Sequence, residues 1–174
     1  MPDLDEILLN PPPDQNGAFP KEGSVFPMLL RRAWYGLNQA FRRRVAHLNM
    51  TPDQYTVMRT LAQGCKEGLT QKQLTSRMSS DPNTVASLLD RMERADFIER
   101  KIDPNDRRAR RILLKTCGYD SFQQAKDIAV ELQREVLQSL SEESKRLFLQ
   151  ELTTIADACR EAAENSPRKS LRKD

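Results

Sequence analysis

Arginine is concentrated in one short segment of the chain, and the guanidinium group is the side chain best suited to pairing with phosphate oxygens. From Glu99 to Arg111 six residues are basic and three are acidic, so this segment has a net charge of +3, equal to that of the whole 174-residue chain. Its loop reads D-P-N-D-R-R-A-R-R, in which Pro, Asn and Asp favour a tight turn. We therefore expect an exposed basic loop that contacts the phosphates or the minor groove of DNA.

Two short helices with clear N-terminal signals precede this loop. Thr70 can cap a helix over 71–78, and Asp81 followed by Pro82 starts a second helix that ends near Ala95. The apolar residues of the second helix recur on one face, which predicts that this face packs into a core. Its exposed N-terminal end then lies where a helix-turn-helix contacts base edges. The residues that we expect to contact DNA from this recognition helix are Pro82, Asn83, Thr84, Ala86, Ser87 and Arg91.

A β-hairpin is predicted to carry the arginine loop. Residues 97–101 have strand character, residues 110–115 form the returning strand, and residues 104–106 supply the turn. A helix pair followed by a basic hairpin predicts a winged helix-turn-helix, with the helix pair at about 70–93 and the wing at about 97–115. The expected fold class is therefore mainly α with a small β-hairpin wing.

Long amphipathic helices flank the winged helix. The first extends from Ser24 to about Leu48 and carries apolar residues three and four positions apart, including Trp34. Thr51 caps a shorter helix, and two more amphipathic helices follow the wing, the last beginning after Ser141. Because the winged helix already has a core, we expect the apolar faces of the first and last helices to form a homodimer interface.

The composition argues against several classes of protein. The single histidine, His47, and the absence of a C-x-x-C pair predict no metal site, and we expect no cofactor. The sequence shows no paired carboxylates, nucleophile elbow or phosphate loop, so we expect that the protein is not an enzyme. No apolar run reaches the length of a membrane span, which predicts no membrane contact. The three cysteines, Cys65, Cys117 and Cys159, are widely spaced and follow no signal-peptide pattern, which predicts buried thiols in a reducing cytoplasm.

The two ends of the chain differ from the middle. Residues 1–23 are rich in turn formers and are predicted to be a flexible segment. Residues 164–174 are predicted to be a basic disordered tail. The winged-helix domain with its dimerisation helices is then expected over 24–163.

The central motifs together resemble the MarR family of bacterial transcription regulators. They are L-N-M-T-P-D-Q-Y-T-V-M-R-T-L, then L-T-Q-K-Q-L, then D-P-N-T-V-A-S-L-L-D-R-M-E-R-A-D-F-I-E-R, and finally D-P-N-D-R-R-A-R-R-I-L-L. The resemblance implies a homodimer whose recognition helices enter the major grooves of a palindromic operator, with repression often relieved by a small molecule or an oxidant. The D-x-R motif of the family falls on Asp106 and Arg108, which implies that the carboxylate orients a guanidinium entering the minor groove. The full set of wing residues expected to contact DNA is Asp106, Arg107, Arg108 and Arg110.

Departures from the family pattern limit what the resemblance implies. Many relatives carry a basic residue where this chain has Ser87, and the usual L-T before the fifth helix reads Leu114-Lys115-Thr116. The first helix has no cysteine, which disfavours the peroxide-sensing branch. Family ligands act near the junction of the dimerisation helices and the winged helix. The resemblance therefore implies that Trp34, Arg31 and Arg32 form an effector pocket for a small anionic aromatic ligand.

The predicted function is sequence-specific DNA binding by a transcription regulator, acting as a repressor that occludes its promoter in the bacterial cytoplasm, at the nucleoid when bound. Two alternatives remain open from the sequence. One is an activator or anti-silencing factor with the same fold. The other is a winged helix used for association with another protein, which would lack the steep salt dependence of DNA binding.

Overall fold

A computed structural model describes residues 25–65, 67–104 and 106–166 of the chain. In these ranges it contains six α-helices, one short 3-10 helix and three β-strands. In chain order they are α1 (Val25–Arg44), the 3-10 helix (Ala46–Leu48), α2 (Pro52–Ala62), β1 (Leu69–Thr70), α3 (Gln71–Arg77), α4 (Pro82–Arg94), β2 (Ile98–Ile102), β3 (Arg110–Leu114), α5 (Thr116–Leu137) and α6 (Glu142–Asn165). The described residues divide into two compact units, the first ending at Val130 and the second beginning at Glu131.

Side-chain caps begin four of the helices, as the sequence predicts. The caps of α2, α3, α4 and α6 are Thr51, Thr70, Asp81 and Ser141. At α2 and α3 the glutamine three residues further on also accepts a hydrogen bond from the amide of the cap residue, which completes a capping box. Each cap satisfies amides that would otherwise lack a partner and stabilises its helix by about 1 kcal/mol.

The small sheet has three antiparallel strands in the order β1-β3-β2. Strands β2 and β3 pair along their full length and form the wing. Strand β1 pairs Leu69 with Ile112, and the sequence did not predict it because two residues are too few to show an alternating pattern. Gly68, just before β1, has a φ of +82°, and a Cβ at this position would lie 2.5 Å from the carbonyl oxygen of Ile112. Only glycine suits so close an approach of the loop to the wing.

The core of the first unit is built around α4 and an aromatic cluster. The inward face of α4 is buried as predicted, through Val85, Leu88, Leu89 and Met92. Phe41 of α1 contacts Tyr55 of α2 with ring centroids 4.9 Å apart, and Tyr55 stacks on Phe122 of α5 at 5.8 Å. Burial raises the pKa of the Tyr55 phenol, and the charge of Arg59 lowers it by less. These rings fix the C-terminal part of α1 onto the winged helix.

The apolar stripe of α1 has a buried part and an exposed part. Phe41 and Val45 lie in the core of the first unit. Val25 at the start of α1 is also buried, but four apolar residues between it and Phe41 are exposed in the single chain, namely Phe26, Leu30, Trp34 and Leu37. In the second unit, α6 likewise exposes Leu147 and Phe148. No helix in the described ranges is long and apolar enough to cross a membrane.

Some local expectations were wrong. Helix α1 ends at Arg44, because the chain then forms the 3-10 turn and reaches a left-handed conformation at Asn49. Cys65, Cys117 and Cys159 are all exposed rather than buried. Cys65 lies outside the helices and strands, and α6, which carries Cys159, has no buried residue in the single chain. Helix α6 continues to Asn165, two residues past the predicted end of the domain. The predicted flexible segment over 1–23, and the predicted tail from residue 167 on, lie outside the described residues.

Candidate nucleic-acid interface

The N-terminal turn of α4 is exposed and held in place by its cap. One carboxylate oxygen of Asp81 accepts hydrogen bonds from the amides of Asn83 at 2.9 Å and Thr84 at 3.0 Å. The carbonyl oxygen of Pro82 also accepts a hydrogen bond from the Gln71 side chain of α3 at 3.3 Å. These bonds use the backbone of the turn, so the side chains of Asn83 and Thr84 stay available for a ligand.

The recognition-helix residues predicted from the sequence occupy the surface side of α4. Pro82, Asn83, Thr84, Ser87 and Arg91 are exposed and Ala86 is half-buried. The Nε of Arg91 donates to the carbonyl oxygen of Ser87 at 3.3 Å, which directs the arginine back along the helix. A single helix face therefore presents small polar groups near its N-terminus and a guanidinium one to two turns later.

The tip of the wing is a compact turn organised by Asp106. Its carboxylate accepts a hydrogen bond from the backbone amide of Arg108 at 2.9 Å, and its carbonyl oxygen accepts one from the amide of Ala109. The resemblance implied a contact between this carboxylate and the Arg108 guanidinium. That role stays a prediction. The hydrogen bond that the structure gives this carboxylate is with the Arg108 backbone, because an Asp at a turn readily caps the amide two residues on.

The arginines of the wing divide into two groups. Arg107, Arg108 and Arg110 are exposed and enter no ion pair among the described residues. Arg100 and Arg111 are instead partly buried and paired with carboxylates. The charge that the wing presents to a ligand is therefore smaller than the sequence suggests.

Arg100 joins the wing to the recognition helix. From β2 its two terminal nitrogens bind Asp90 at 2.6 Å and Glu93, both on the C-terminal half of α4. Partial burial lowers the pKa of Arg100, but the hydrogen bonds and charges of Asp90 and Glu93 together raise it by more. The guanidinium therefore stays charged and cross-links β2 to α4.

Arg111 joins the wing to the loop before the helix-turn-helix. Its Nε donates to Asp103 at 2.6 Å, and its Nη1 donates to the carbonyl oxygen of Gly68 at 3.3 Å. Asp103 is 5% exposed and is the buried charged residue of the described core. In the sequence, Arg100 and Arg111 are distinguished from the other arginines of the wing by no local motif. The signal that could have separated Arg110 from Arg111 is the alternation of side chains along a strand, which sends neighbours to opposite faces.

A third charged contact lies where the hairpin joins the neighbouring helices. The ammonium of Lys115, just after β3, binds the carboxylate of Asp96, which lies between α4 and β2 at a φ of +63°. The hydrogen bond to Asp96 raises the pKa of Lys115. Gly118 allows α5 to start here, because a Cβ would lie 2.2 Å from the carbonyl oxygen of Phe97. These contacts hold together the end of the hairpin where its strands meet α4 and α5.

A groove of about 380 Å³ separates the wing from the start of α3. It is lined by Thr70, Gln71, Lys72, Arg100, Ala109, Arg110 and Ile112. Lys72 and Arg110 carry charges of the same sign on its two sides, so the groove favours an anion such as a phosphate.

The residues predicted to form an effector pocket lie on α1. Arg31, Arg32 and Trp34 are exposed, and Trp34 is 62% exposed in the single chain. Arg31 and Trp34 are three residues apart and share one side of the helix, whereas Arg32 lies off that side. The pocket stays a prediction, because these three residues belong to one helix of one chain.

Comparisons with known proteins agree with this geometry. A family model described as MarR family matches residues 50–109. The transcriptional regulator HosA of Escherichia coli O111:H- is 32% identical over 135 residues, which cover 75% of this chain and 98% of that protein. The transcriptional regulator PecS of Dickeya dadantii is 26% identical and covers 70% of this chain and 76% of its own length.

Solved structures share the fold. Staphylococcus aureus MepR, solved in complex with DNA, matches with a TM-score of 0.72 at 25% identity over 77% of this chain and 98% of its own. Escherichia coli MarR C80S, complexed with operator DNA, matches with a TM-score of 0.69 at 21% identity over 75% of this chain and 92% of its own. The predicted winged helix-turn-helix is confirmed, as is the expectation of a regulator rather than an enzyme, because the curated relatives are transcriptional regulators.

Proposed function

The chain belongs to the MarR family of transcription regulators, and on that premise we propose that it is a repressor that binds a palindromic operator as a homodimer and occludes the promoter. The observation that carries the proposal is the joint exposure of two surfaces in the first unit. One is the N-terminal turn of α4, and the other is the wing tip with Arg107, Arg108 and Arg110. Arg100 cross-links the elements that carry them.

The two surfaces have different tasks in this proposal. The wing arginines neutralise phosphates or enter the minor groove, and they supply affinity that depends strongly on salt. Asn83 and Thr84, together with Ser87 and Arg91, contact base edges in the major groove and supply specificity. The cap at Asp81 supports this division, because it holds the turn rigid while using only backbone amides of Asn83 and Thr84.

A second copy of the chain completes the regulator. The exposed apolar residues of α1 and α6 would otherwise remain in water, and their burial against a partner is favourable by about 25 cal/mol per Å². Two symmetric recognition helices then reach successive major grooves about 34 Å apart. The operator is therefore an inverted repeat whose half-site centres lie roughly 10 base pairs apart. Such a protein acts in the bacterial cytoplasm, where the nucleoid lies.

We also propose that an anionic aromatic compound relieves repression by binding beside Trp34, Arg31 and Arg32. The support is the exposure of Trp34 and of Arg31, which share one side of α1, with the exposed Arg32 next to Arg31 in the chain. Trp34 is the single tryptophan of the chain, so its fluorescence reports on this place alone. Salicylate should quench that fluorescence and weaken operator binding over the same concentration range, since linkage makes the two effects reciprocal. Quenching without any change in DNA affinity would show that the ligand binds near Trp34 but does not regulate DNA binding.

Selection of bound sequences from a random duplex library tests the main proposal. The purified protein should enrich an inverted repeat with the spacing given above, and footprinting should then protect both half-sites. Affinity for the enriched duplex should fall steeply as salt rises. A shallow salt dependence together with no enriched sequence would favour the protein-association alternative. Protection of a site upstream of a promoter, with transcription increased rather than decreased, would identify an activator.

A further inference from the structure

The ion pair between Arg111 and Asp103 is set deeper than the other charged contacts of the wing. Asp103 is 5% exposed, and the Arg111 side chain retains about a fifth of its accessible surface. Two donors of the guanidinium are engaged, one with Asp103 and the other with the carbonyl oxygen of Gly68. A guanidinium held in this way is directed into the protein and away from a ligand on the surface.

The side chain of Arg111 joins β3 to the residue that follows β2 and to the residue that precedes β1. Asp103 directly follows β2, and its amide donates to the carbonyl oxygen of Ala109 at 3.1 Å, which closes the base of the wing loop. Gly68 directly precedes β1, which is only two residues long and leads into α3. Strand β1 is the sheet contact between the wing and the start of the helix-turn-helix. The Arg111 side chain adds a second bond at this junction.

We propose that Arg111 and Asp103 are positioning residues that set the direction of the wing relative to the helix-turn-helix, and that Arg111 is not a DNA contact. This inference rests on the proposed function, because it assumes that the wing binds DNA. The wing tip lies about three residues beyond Asp103, or roughly 10 Å at 3.3 Å per residue. A rotation of about 10° at the base would move the tip by roughly 2 Å, enough to break hydrogen bonds to a phosphate.

Replacement of Asp103 by asparagine tests the proposal, because the proposal and a simple charge effect predict opposite changes in DNA affinity. Removal of an acidic residue from a DNA-binding surface ordinarily strengthens DNA binding. Asp103→Asn should instead weaken it about tenfold, the size of one lost specific contact, because the wing is no longer held in place. Glu99→Gln is the matched control, since Glu99 lies on the same hairpin and pairs with Lys101 at the surface at 2.6 Å. That control should bind DNA as tightly as the wild type or more tightly.

Replacement of Arg111 by lysine separates positioning from direct contact. Lysine keeps the positive charge, so a phosphate contact would be retained almost fully. Its single ammonium cannot reproduce the forked contact to both Asp103 and Gly68. Under the proposal Arg111→Lys therefore weakens binding about as much as Asp103→Asn. An Arg111→Lys variant with wild-type affinity would overturn the positioning role.

The experiment uses the full chain and fluorescence anisotropy with a random-sequence duplex of about 24 base pairs, long enough for two half-sites. Thermal unfolding is measured for every variant. If Asp103→Asn does not fold, Asp103→Leu combined with Arg111→Met replaces the buried pair by apolar groups, a change that is often neutral for stability. This double variant should unfold at the wild-type temperature and bind DNA about tenfold more weakly. Wild-type or tighter binding by it would overturn the inference.

Arg108→Gln distinguishes failure of the inference from failure of the proposed function. Arg108 is exposed at the wing tip, so its loss should weaken binding if the wing contacts DNA. Weaker binding by Arg108→Gln with unchanged binding by Asp103→Asn would reject only the positioning role. Unchanged binding by Arg108→Gln, and also by the variant in which Arg107, Arg108 and Arg110 are all glutamine, would reject DNA contact by the wing, and the positioning role with it.

Discussion

Replacing the three exposed arginines of the wing with glutamine should flatten the salt dependence of DNA binding. The variant carries Arg107→Gln, Arg108→Gln and Arg110→Gln. All three side chains lie at the surface of the hairpin, so their loss should leave the fold unchanged. What changes is the number of counterions released when the wing approaches the phosphates.

The structure sets the magnitude of this effect. Each neutralised phosphate contributes about 0.9 to the slope of log affinity against log salt. Three arginines on each of the two wings of a dimer therefore account for a slope of at most about 5. Counting Arg100 and Arg111 as well would give about 9, but both are engaged with carboxylates and should not contribute. Between 50 and 200 mM salt, a slope difference of about 5 corresponds to roughly a thousandfold in relative affinity.

Anisotropy titrations of a labelled duplex at several salt concentrations measure the slope directly. Lys145→Gln serves as the control, because Lys145 lies on α6 and pairs with Glu142 at 2.6 Å. The control should keep the wild-type slope. If the triple wing variant keeps a slope within about 1 of the wild type, the wing neutralises no phosphates and the assignment of the DNA surface is wrong.

Three further predictions concern specificity, assembly and the core. Replacement of Asn83 and Thr84 together by alanine should reduce the preference for operator over random duplex, measured by competition, more than it reduces non-specific binding. Phe148→Asp should convert the dimer to monomers in analytical ultracentrifugation and abolish operator binding, because it places charge on the exposed apolar face of α6. The phenol of Tyr55 should titrate above its ordinary pKa near 10, because burial disfavours the phenolate, and stability should fall as pH rises through that raised value.

Each of these has an outcome that contradicts it. Equal loss of affinity for both duplexes would mean that Asn83 and Thr84 contact only the backbone of DNA. A fully active Phe148→Asp dimer would remove α6 from the interface. Thr153→Asp controls for added charge, because Thr153 is exposed and lies on the side of α6 away from Leu147 and Phe148. For the core, phenolate absorbance is followed as pH rises in the wild type and in Tyr55→Phe. The difference between the two titrations reports on the phenol of Tyr55. A transition at or below pH 10 in this difference would show that the ring is accessible to water.

The sequence by itself determined the helices, their caps and the order of elements. Amphipathic periodicity and N-terminal caps depend on residues three or four positions apart, so they can be recognised in the sequence without a structure. The caps at Thr51, Thr70 and Asp81 and the buried face of α4 were predicted for this reason and are confirmed. The motifs of helix pair and basic hairpin, taken together, were also sufficient to identify the family.

The tertiary structure alone decided which of the charged residues face a ligand. Arg111 and Arg108 look alike in the sequence, but the fold brings Asp103 and Gly68 to the first and leaves the second exposed. Strand β1 exists only through pairing with β3, some 40 residues further along the chain. The contact of Asp106 with a backbone amide depends on the exact turn at the wing tip. Such pairings join residues that are distant in sequence or depend on loop geometry, so local patterns carry no signal for them.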